Sequence, residues 1–374
     1  MANTWSRSNK VSLPLTDDFR SIVLENRPLI DVRAPVEFEK GAFPTSVNLP
    51  LMNDEERRLV GIRYKNEGNE AAVRLGNKLV EGDLKRERID AWKDFIQKHP
   101  DAYLYCFRGG QRSGISQQWL ADEGVEITRL KGGYKAFRNF LTTEAEAVME
   151  RTHTLIIGGR TGSGKTLLLP SLDNAIDLEG LANHRGSSFG RYITPQPSQI
   201  DFEDALAYQL IQFDAQNHKN LVIEHESHNI GRVHIPNPIY NSFEKGELII
   251  LETDIQKRTE ITHYEYVEEA LRNYEKSFAE AGAQKWADDI NGAFDRIKRR
   301  LGSERYLHLK QVFADAFEQQ KLHGDLEAHK VWVESLLTDY YDPMYDYQIE
   351  KSPIPVVFRG NDKEVIEYIK SREV

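Results

Sequence analysis

The chain has 374 residues, of which 40% are hydrophobic and 29% are charged, and its formal net charge is −10 at pH 7. This composition is typical of a folded water-soluble protein with two or three domains, and the acidic balance argues against a general coat for nucleic acid while allowing a local basic face for a folded RNA. The single cysteine excludes intrachain disulfides and cysteine-based zinc sites.

The N-terminus and the distribution of apolar residues predict the compartment. Residues 1–7 lack the apolar core of a signal peptide. No apolar run approaches the roughly 18 residues that a membrane helix needs. We therefore expect a cytoplasmic protein that does not enter a membrane.

Strand patterns alternate with helix patterns through the first part of the chain. Short apolar runs predict strands at 28–33, 102–106 and 125–130. Charged and amphipathic stretches predict helices at 54–98, after the loop that follows Cys106, and up to residue 147. This alternation predicts a parallel sheet covered by helices on both faces, and we expect one α/β domain over residues 1–147.

The loop after the second of these strands has the pattern of a reactive site. Cys106 ends the strand and is followed by Arg108, Gly109, Gly110 and Arg112, just before a predicted helix. Backbone N–H dipoles and two cations favour the thiolate, which is the nucleophilic form of cysteine. We predict that Cys106, Arg108 and Arg112 are catalytic; the alternative is a buried, inert cysteine.

The strongest motif follows a buried-strand pattern at 154–157. The residues after it fit G-x-x-x-x-G-K-[ST] and predict a phosphate-binding loop formed by Gly159, Thr161, Gly162, Ser163, Gly164, Lys165 and Thr166. Lys165 adds positive charge at the outer phosphates, and the Thr166 hydroxyl can ligate Mg²⁺. We expect a helix to start at Leu167–Leu169, with its N-terminus facing the anion. A glycine-rich turn without a ligand is the alternative.

The remaining patterns fit a P-loop domain over residues 148–374. The segment His184–Arg191 is either a phosphate-contacting segment, through Arg185, or a solvated surface loop. The strand pattern that starts at Asn220 runs into Glu224 and Glu226, which stand where P-loop proteins hold Mg²⁺ through water. The choice between these two carboxylates is open.

A helical pattern with few glycines and many charges covers about 255–341, and a last strand is expected at 355–359. The helical region contains the densest cationic cluster of the chain, around Lys298, Arg299 and Arg300. A charge run of this kind is either a binding surface or a solvated helix face.

The first domain resembles a rhodanese domain. The resemblance is carried by Leu29–Arg33 with Pro35, Glu37 and Phe38, by Gly41, Pro44 and Asn48, by the Cys106 loop and by Lys131–Gly133. Arg112 follows Cys106 by six residues, one more than in most rhodaneses, and this spacing resembles that of a class of cysteine-dependent phosphatases. The wider loop implies room for a tetrahedral, phosphate-sized group rather than simple sulfur transfer from thiosulfate.

The order of the two motifs, Cys106–Ser113 and then Gly158–Thr166, resembles the tRNA 2-selenouridine synthases over essentially the whole chain. The resemblance implies an N-terminal rhodanese-like parallel-sheet domain followed by a P-loop NTPase-like α/β domain with a helical insertion. It also implies a transferase that replaces sulfur by selenium in wobble 2-thiouridine of tRNA. The implied substrates are selenophosphate, as selenium donor, and geranyl diphosphate, which yields a geranylated 2-thiouridine intermediate.

The same resemblance implies the partners. They are tRNA, for which Lys298, Arg299 and Arg300 are the predicted contacts, and an enzyme that produces selenophosphate; Mg²⁺ is the expected ion. Two other functions stay open, namely a P-loop ATPase or kinase with a rhodanese sensor or sulfurtransferase domain, and a binding module in which neither site turns over. The sequence leaves the oligomeric state open.

Overall fold

A computed structural model describes residues 13–373. The chain forms two compact units that divide between Glu144 and Ala145, close to the predicted boundary after residue 147. The described α-helices are α1 (Phe19–Leu24), α2 (Pro35–Phe38), α3 (Asp54–Leu79), α4 (Gly82–Lys98), α5 (Gln111–Asp122), α6 (Gly133–Arg151), α7 (Lys165–Leu168), α8 (Leu178–Ala182), α9 (Gln199–Ala215), α10 (Asn237–Phe243), α11 (Ile255–His263), α12 (Ala270–Phe278), α13 (Gly282–Leu301), α14 (Ser303–His323), α15 (Lys330–Leu336), α16 (Asp342–Lys351) and α17 (Asp362–Ser371).

The strands follow the same alternation. They are β1 (Leu15–Thr16), β2 (Leu29–Asp31), β3 (Ser46–Asn48), β4 (Tyr103–Tyr105), β5 (Thr128–Leu130), β6 (His153–Gly158), β7 (Ala175–Ile176), β8 (Asn220–Glu224), β9 (Asn229–Ile230), β10 (Val233–His234), β11 (Glu247–Leu251) and β12 (Val356–Gly360). Among the described helices, none combines the length and the hydropathy needed to cross a membrane.

The first unit contains a parallel five-stranded sheet in the order β1-β5-β4-β2-β3, which confirms the predicted sheet. Leu104 in β4 and Ile30 in β2 are fully buried, as expected for strands covered on both faces. Trp92 of α4 packs into this core and donates a 2.8 Å hydrogen bond to the Leu49 carbonyl. Since β4 is the middle strand, the loop after it starts at the centre of the carboxyl edge of the sheet.

The second unit contains a second parallel five-stranded sheet, in the order β12-β11-β6-β8-β7. The middle strand β6 leads into the glycine-rich loop, and its neighbour β8 ends at Glu224. Because the carboxyl ends of parallel strands meet at one edge, the loop and the end of β8 lie side by side. The predicted late strand is β12, at the edge of the sheet.

The helical region runs from α11 to α16 and extends beyond the predicted end near residue 341. The extension is α16, which has Pro343 in its first turn, where the fixed φ of proline suits a helix start. The region has its own core, in which Trp286, Phe294 and Trp332 are buried. Two π-helical segments, Tyr264–Glu269 and Leu337–Tyr341, interrupt its helices. Such segments are frequent at functional sites because they turn side chains out of the regular α-helical register.

The helix after the glycine-rich loop differs from the expectation. α7 covers only Lys165–Leu168 and is followed by a 3₁₀ turn at Leu169–Ser171. Pro170 lacks a backbone N–H and cannot continue an α-helical ladder, which explains the early end.

Candidate active sites

The loop after β4 holds Cys106 against its neighbours in the first unit. The Cys106 side chain is buried, and its Sγ lies 3.1 Å from the Ser113 Oγ at the start of α5. A hydroxyl at this distance can donate a hydrogen bond to a thiolate. Ser113 follows directly on the predicted Arg112, and its role is not marked by the residue pattern.

The N-terminus of α6 fixes the outer side of this loop. The backbone N–H groups of Tyr134 and Lys135 donate to the carbonyls of Cys106 and Phe107, at 2.9 and 3.0 Å. The approach is so close that a Cβ on Gly133 would lie 2.2 Å from the Cys106 carbonyl oxygen, and Gly133 has a φ of +59°. The peptide plane sets N–H opposite C=O, so these bonds turn the following N–H groups towards the other side of the loop.

The two predicted cations of this loop have different surroundings. The Arg112 guanidinium pairs with the Glu37 carboxylate, with Nη1–Oε2 and Nη2–Oε1 distances of 2.5 and 3.2 Å. Burial raises the pKa of Glu37, but the hydrogen bonds and charge of Arg112 outweigh it and leave that pKa below its usual value. Arg108 is exposed, and no carboxylate among the described residues lies within 4 Å of it. An anion bound at Cys106 must therefore compete with Glu37 for Arg112.

Arg129 of β5 is a positioning residue that the residue pattern does not single out. Its Nη1 donates to the carbonyls of Gly109 and Gly110, at 2.6 and 3.2 Å. Its Nε donates to the Oε1 of buried Gln117, at 3.1 Å. Arg129 therefore holds the carbonyls of the loop's second half outward, as α6 does for the first half.

We expect Arg129→Gln to weaken anion binding at the Cys106 loop by about tenfold, because charge-assisted hydrogen bonds contribute about 1.5–3 kcal/mol each. The measurement is protection of Cys106 against iodoacetamide by inorganic phosphate, and the absence of a second cysteine makes the adduct unambiguous. Arg129→Lys, which keeps the charge, should restore part of the protection. Unchanged protection in the Gln variant, with an unchanged melting temperature, would contradict this role.

In the second unit, Gly159–Thr166 forms a loop in which the predicted residues come together. The Lys165 Nζ donates to the Gly159 carbonyl at 3.1 Å, which closes the loop on itself. Gly162 and Gly164 have φ values of +75° and +86°, a region in which side chains are strained. The Thr166 Oγ1 donates to the Glu179 Oε2 at 3.3 Å. The loop thus presents the Lys165 ammonium and the Thr166 hydroxyl together with its backbone.

Helix α11 braces this loop from outside. The buried Arg258 donates from Nε to the Thr161 carbonyl at 3.0 Å and pairs with Asp342 at 2.5 Å. A Cβ on Gly162 would lie 2.2 Å from the Thr262 Oγ1, so α11 approaches the loop as closely as glycine permits. The helical region thereby fixes the loop conformation.

Three buried or partly buried carboxyl groups lie next to the loop. Glu224 accepts a 2.9 Å hydrogen bond from the Leu178 N–H through Oε2, and its Oε1 has no partner among the described residues. Burial, followed by the charges of Asp177 and Glu179, raises the pKa of Glu224 well above its usual value. Burial likewise raises the pKa of Glu226 and of Glu179, which are hydrogen-bonded to each other. Burial thus disfavours the ionised form of all three carboxyls next to the cation of Lys165.

The oxygen donors here fit Mg²⁺, which prefers carboxylates, hydroxyls, phosphates and water. No group of three or more His, Cys, Asp or Glu side chains within residues 13–373 forms a complete metal site. Thr166 and the adjoining Glu179 would hold the ion together with phosphate oxygens, and the unpartnered oxygen of Glu224 is available through water. A bound Mg²⁺ would supply positive charge against a diphosphate. Glu179, which adjoins Thr166 directly, was not among the predicted ligands.

The loop opens on a cavity of about 570 Å³. This volume falls within the roughly 300–1,000 Å³ of small-molecule sites. Besides the loop, the lining combines polar side chains with aromatic and apolar ones from the helical region and beyond, among them Tyr266, Tyr340, Tyr341, Met344, Tyr345, Tyr347 and Ile354. Several of these residues belong to the π-helical segments or to α16, which explains why the sequence pattern alone does not reveal the cavity.

The segment His184–Arg191 is anchored rather than freely solvated. Phe189 is buried in the core of the helical region, where its ring contacts those of Phe294 and Trp332. The Arg185 guanidinium pairs with Glu269 at 2.5 Å and lies 4.1 Å from the ring centre of Tyr192. Arg185 lines the cavity together with the P-loop, and its contact with phosphate stays a prediction.

Glu265 lies on the first π-helical segment and lines the cavity, and we expect it to make anion binding there depend on pH. Burial raises its pKa to about 7, against the opposing charge of Arg185. Above this pKa the ionised carboxylate repels an anion in the cavity, so pyrophosphate affinity should fall as pH rises through about 7. The ratio of dissociation constants, native over Glu265→Gln, cancels the titration of pyrophosphate itself. We expect this ratio to rise with pH, and a flat ratio would contradict the assignment.

The predicted cationic triplet lies in the last turn of α13. Lys298 lies 4.8 Å from the ring centre of Tyr306, Arg299 is exposed, and Arg300 is exposed and lines the cavity. Lys298 and Arg300 therefore have different surroundings, and the binding of nucleic acid by the triplet stays a prediction.

Comparison with known proteins matches both units. The model described as the tRNA 2-selenouridine synthase AAA domain matches residues 152–374, and the Rhodanese-like domain model matches residues 16–140. A tRNA 2-selenouridine synthase from Sulfurovum sp. (strain NBC37-1) is 57% identical, covering 96% of this chain and 98% of the relative. Those from Hydrogenovibrio crunogenus and Marinobacter nauticus are 50% and 48% identical, each covering 96% of this chain and 99% of the relative. The chain therefore belongs to the tRNA 2-selenouridine synthase family, which confirms the predicted resemblance and fold class.

Proposed function

We propose that this protein replaces sulfur by selenium in the wobble 2-thiouridine of tRNA, with selenophosphate as donor and through a geranylated intermediate made from geranyl diphosphate. The family relatives are named for tRNA 2-selenouridine synthesis, and this supports a tRNA-modifying transferase. The observation that carries the finer proposal is the cavity in the second unit. Its lining joins a phosphate-binding loop to aromatic and apolar side chains, a combination that suits a diphosphate with a hydrocarbon tail.

In the first step, the sulfur of 2-thiouridine attacks the carbon that bears the diphosphate. A carbon–sulfur bond forms, the carbon–oxygen bond breaks with its electron pair going to the diphosphate, and the uridine ring loses a proton. Lys165 and the loop backbone stabilise the diphosphate as its negative charge develops. Thr166 and Glu179 would hold a Mg²⁺ ion, which would supply further positive charge for the diphosphate.

In the second step, we assign Cys106 to the release of selenium from selenophosphate. The thiolate attacks phosphorus, a sulfur–phosphorus bond forms, and selenide leaves with the electron pair of the phosphorus–selenium bond. Selenide then attacks C2 of the geranylated base, and the geranyl thiolate leaves. Water hydrolyses the phosphorylated cysteine to inorganic phosphate. Arg108 and the outward-held carbonyls of the loop suit a tetrahedral anion next to Sγ.

The experiment is mass spectrometry of nucleosides from tRNA containing 2-thiouridine, after incubation with the protein and with each substrate alone or both together. Geranyl diphosphate alone should give the geranylated base, and the complete mixture should give 2-selenouridine. The rival function, an ATPase or kinase with a rhodanese sensor, predicts phosphate release from ATP without RNA. Such release, together with unmodified tRNA, would overturn the proposal.

A further inference from the structure

Near the cavity in the second unit, three arginines have no carboxylate partner among residues 13–373. Arg191 ends the anchored segment, and Arg296 and Arg300 lie on α13. No carboxylate oxygen among the described residues lies within 4 Å of their guanidinium nitrogens, whereas Arg185 nearby is paired with Glu269. In a protein of net charge −10, three unpaired cations in one place call for an anionic partner.

The backbone brings these side chains together. Arg191 forms an antiparallel bridge with His184, and the Arg296 Nη2 donates to the Ser188 carbonyl at 2.8 Å. Arg300 is one turn after Arg296 on the same face of α13, about 6 Å along the helix axis. Ser188 and Arg300 both line the cavity, so the three arginines form a strip that leads to it.

The electrostatics of the strip are consistent with an uncompensated positive patch. Burial, followed by the charge of Arg191, lowers the pKa of Arg296, and Asp289 offsets this effect only in part. Burial and then the charges of Arg191, Arg296 and Arg185 lower the pKa of His184. An anion that binds between like positive charges reduces the electrostatic repulsion between them.

The surroundings favour a nucleic acid over a small anion. Tyr192 follows Arg191 directly, is 37% exposed and also lines the cavity. Proteins hold single-stranded RNA with cations along the backbone and with aromatic rings on which bases stack. A small phosphate ligand would need only the loop at Lys165, and it would leave Arg191 and Arg296, which do not line the cavity, unused.

We propose that Arg191, Arg296 and Arg300 bind successive phosphates of the RNA strand whose base enters the cavity, with Tyr192 as a stacking surface. This inference rests on the proposed function, since it takes tRNA as the substrate. Of the predicted triplet, the inference retains only Arg300, and it replaces Lys298 and Arg299 by Arg191 and Arg296.

The test compares two double variants of equal charge. Arg191→Gln/Arg296→Gln removes two charges from the strip, and Lys298→Gln/Arg299→Gln removes two from the same turn of α13 outside the strip. Each is titrated with an anticodon stem-loop containing 2-thiouridine over a range of salt concentrations. Loss of two phosphate contacts to a single strand should reduce the slope of log affinity against log salt by about 1.4. The control pair should keep the native slope.

Pyrophosphate binding is the second readout, because it reports on the cavity itself. The strip variant should bind pyrophosphate as the native protein does. Loss of the Arg296–Ser188 hydrogen bond could itself weaken pyrophosphate binding. In that case the single variant Arg191→Gln tests the inference, and its salt slope should fall by about 0.7. An unchanged RNA slope in the strip variants, or an equal change in the control pair, overturns the inference. Failure of the native protein to bind the stem-loop would instead overturn the proposed function.

Discussion

Cys106→Ser should lower selenium incorporation at least about a thousandfold, as expected when a nucleophile is removed. Serine preserves the size of the side chain and its contact with Ser113, so the loop geometry should persist. Its hydroxyl does not ionise near neutral pH and provides no anion to attack phosphorus. Geranylation should be retained because it takes place in the second unit, and geranylated 2-thiouridine should accumulate in the tRNA.

The phosphorylated form of Cys106 provides the direct measurement. Acid quenching of the native protein during turnover with selenophosphate, followed by intact-mass analysis, should detect one added phosphoryl group that the Ser variant lacks. Since the chain contains one cysteine, the adduct is assigned without ambiguity. A Ser variant with native selenation would show that Cys106 is not the nucleophile, whether or not the P-loop acts as proposed.

Local pattern was sufficient to predict both sheets and both loops. The apolar runs before Cys106 and before Gly159 are the middle strands β4 and β6, and buried parallel strands are marked by such runs. The positions of Cys106 and Lys165 follow from where these strands end. Composition could also predict a helical region, although α16 extended it beyond its expected end.

The partners of these residues come from distant parts of the chain and carry no local signal. Glu37 reaches Arg112 across the first unit, Arg129 reaches the loop from β5, and Glu179 reaches Thr166 from α8. Each of these contacts depends on the packing of two elements, which periodicity does not encode. A search for charged residues just after each strand would have found Glu179, since α8 follows β7 at once.

The cationic triplet Lys298–Arg300 shows that residues adjacent in sequence need not share one surface in the structure. A run of charges predicts a positive helix face, but successive residues on a helix point in different directions. The packing of α13 places Arg300 at the cavity and Lys298 over Tyr306. Arg191 and Arg296 lie close to each other because Phe189 anchors the segment His184–Arg191 in the core of the helical region.

Lys165→Ala should weaken diphosphate binding by roughly ten- to a hundredfold, because a charge-assisted hydrogen bond contributes about 1.5–3 kcal/mol. The geranylation step should lose at least as much, since Lys165 also stabilises the charge that develops on the leaving diphosphate. The fold should persist because Lys165 is only partly buried and makes one hydrogen bond, to the Gly159 carbonyl. Titration with geranyl diphosphate and initial rates of geranylation measure the two effects.

Arg160→Ala is the matched control, because it removes an equal charge from the same loop. The Arg160 guanidinium is paired with Asp346 at 2.8 Å, and it does not line the cavity that contains Lys165. Its loss should leave diphosphate binding near the native value. Selenium transfer to tRNA that is already geranylated should survive in the Lys165 variant, since that step depends on the Cys106 loop. Equal loss of both steps would contradict the division of labour between the two units, because Lys165 has a role only where the diphosphate departs.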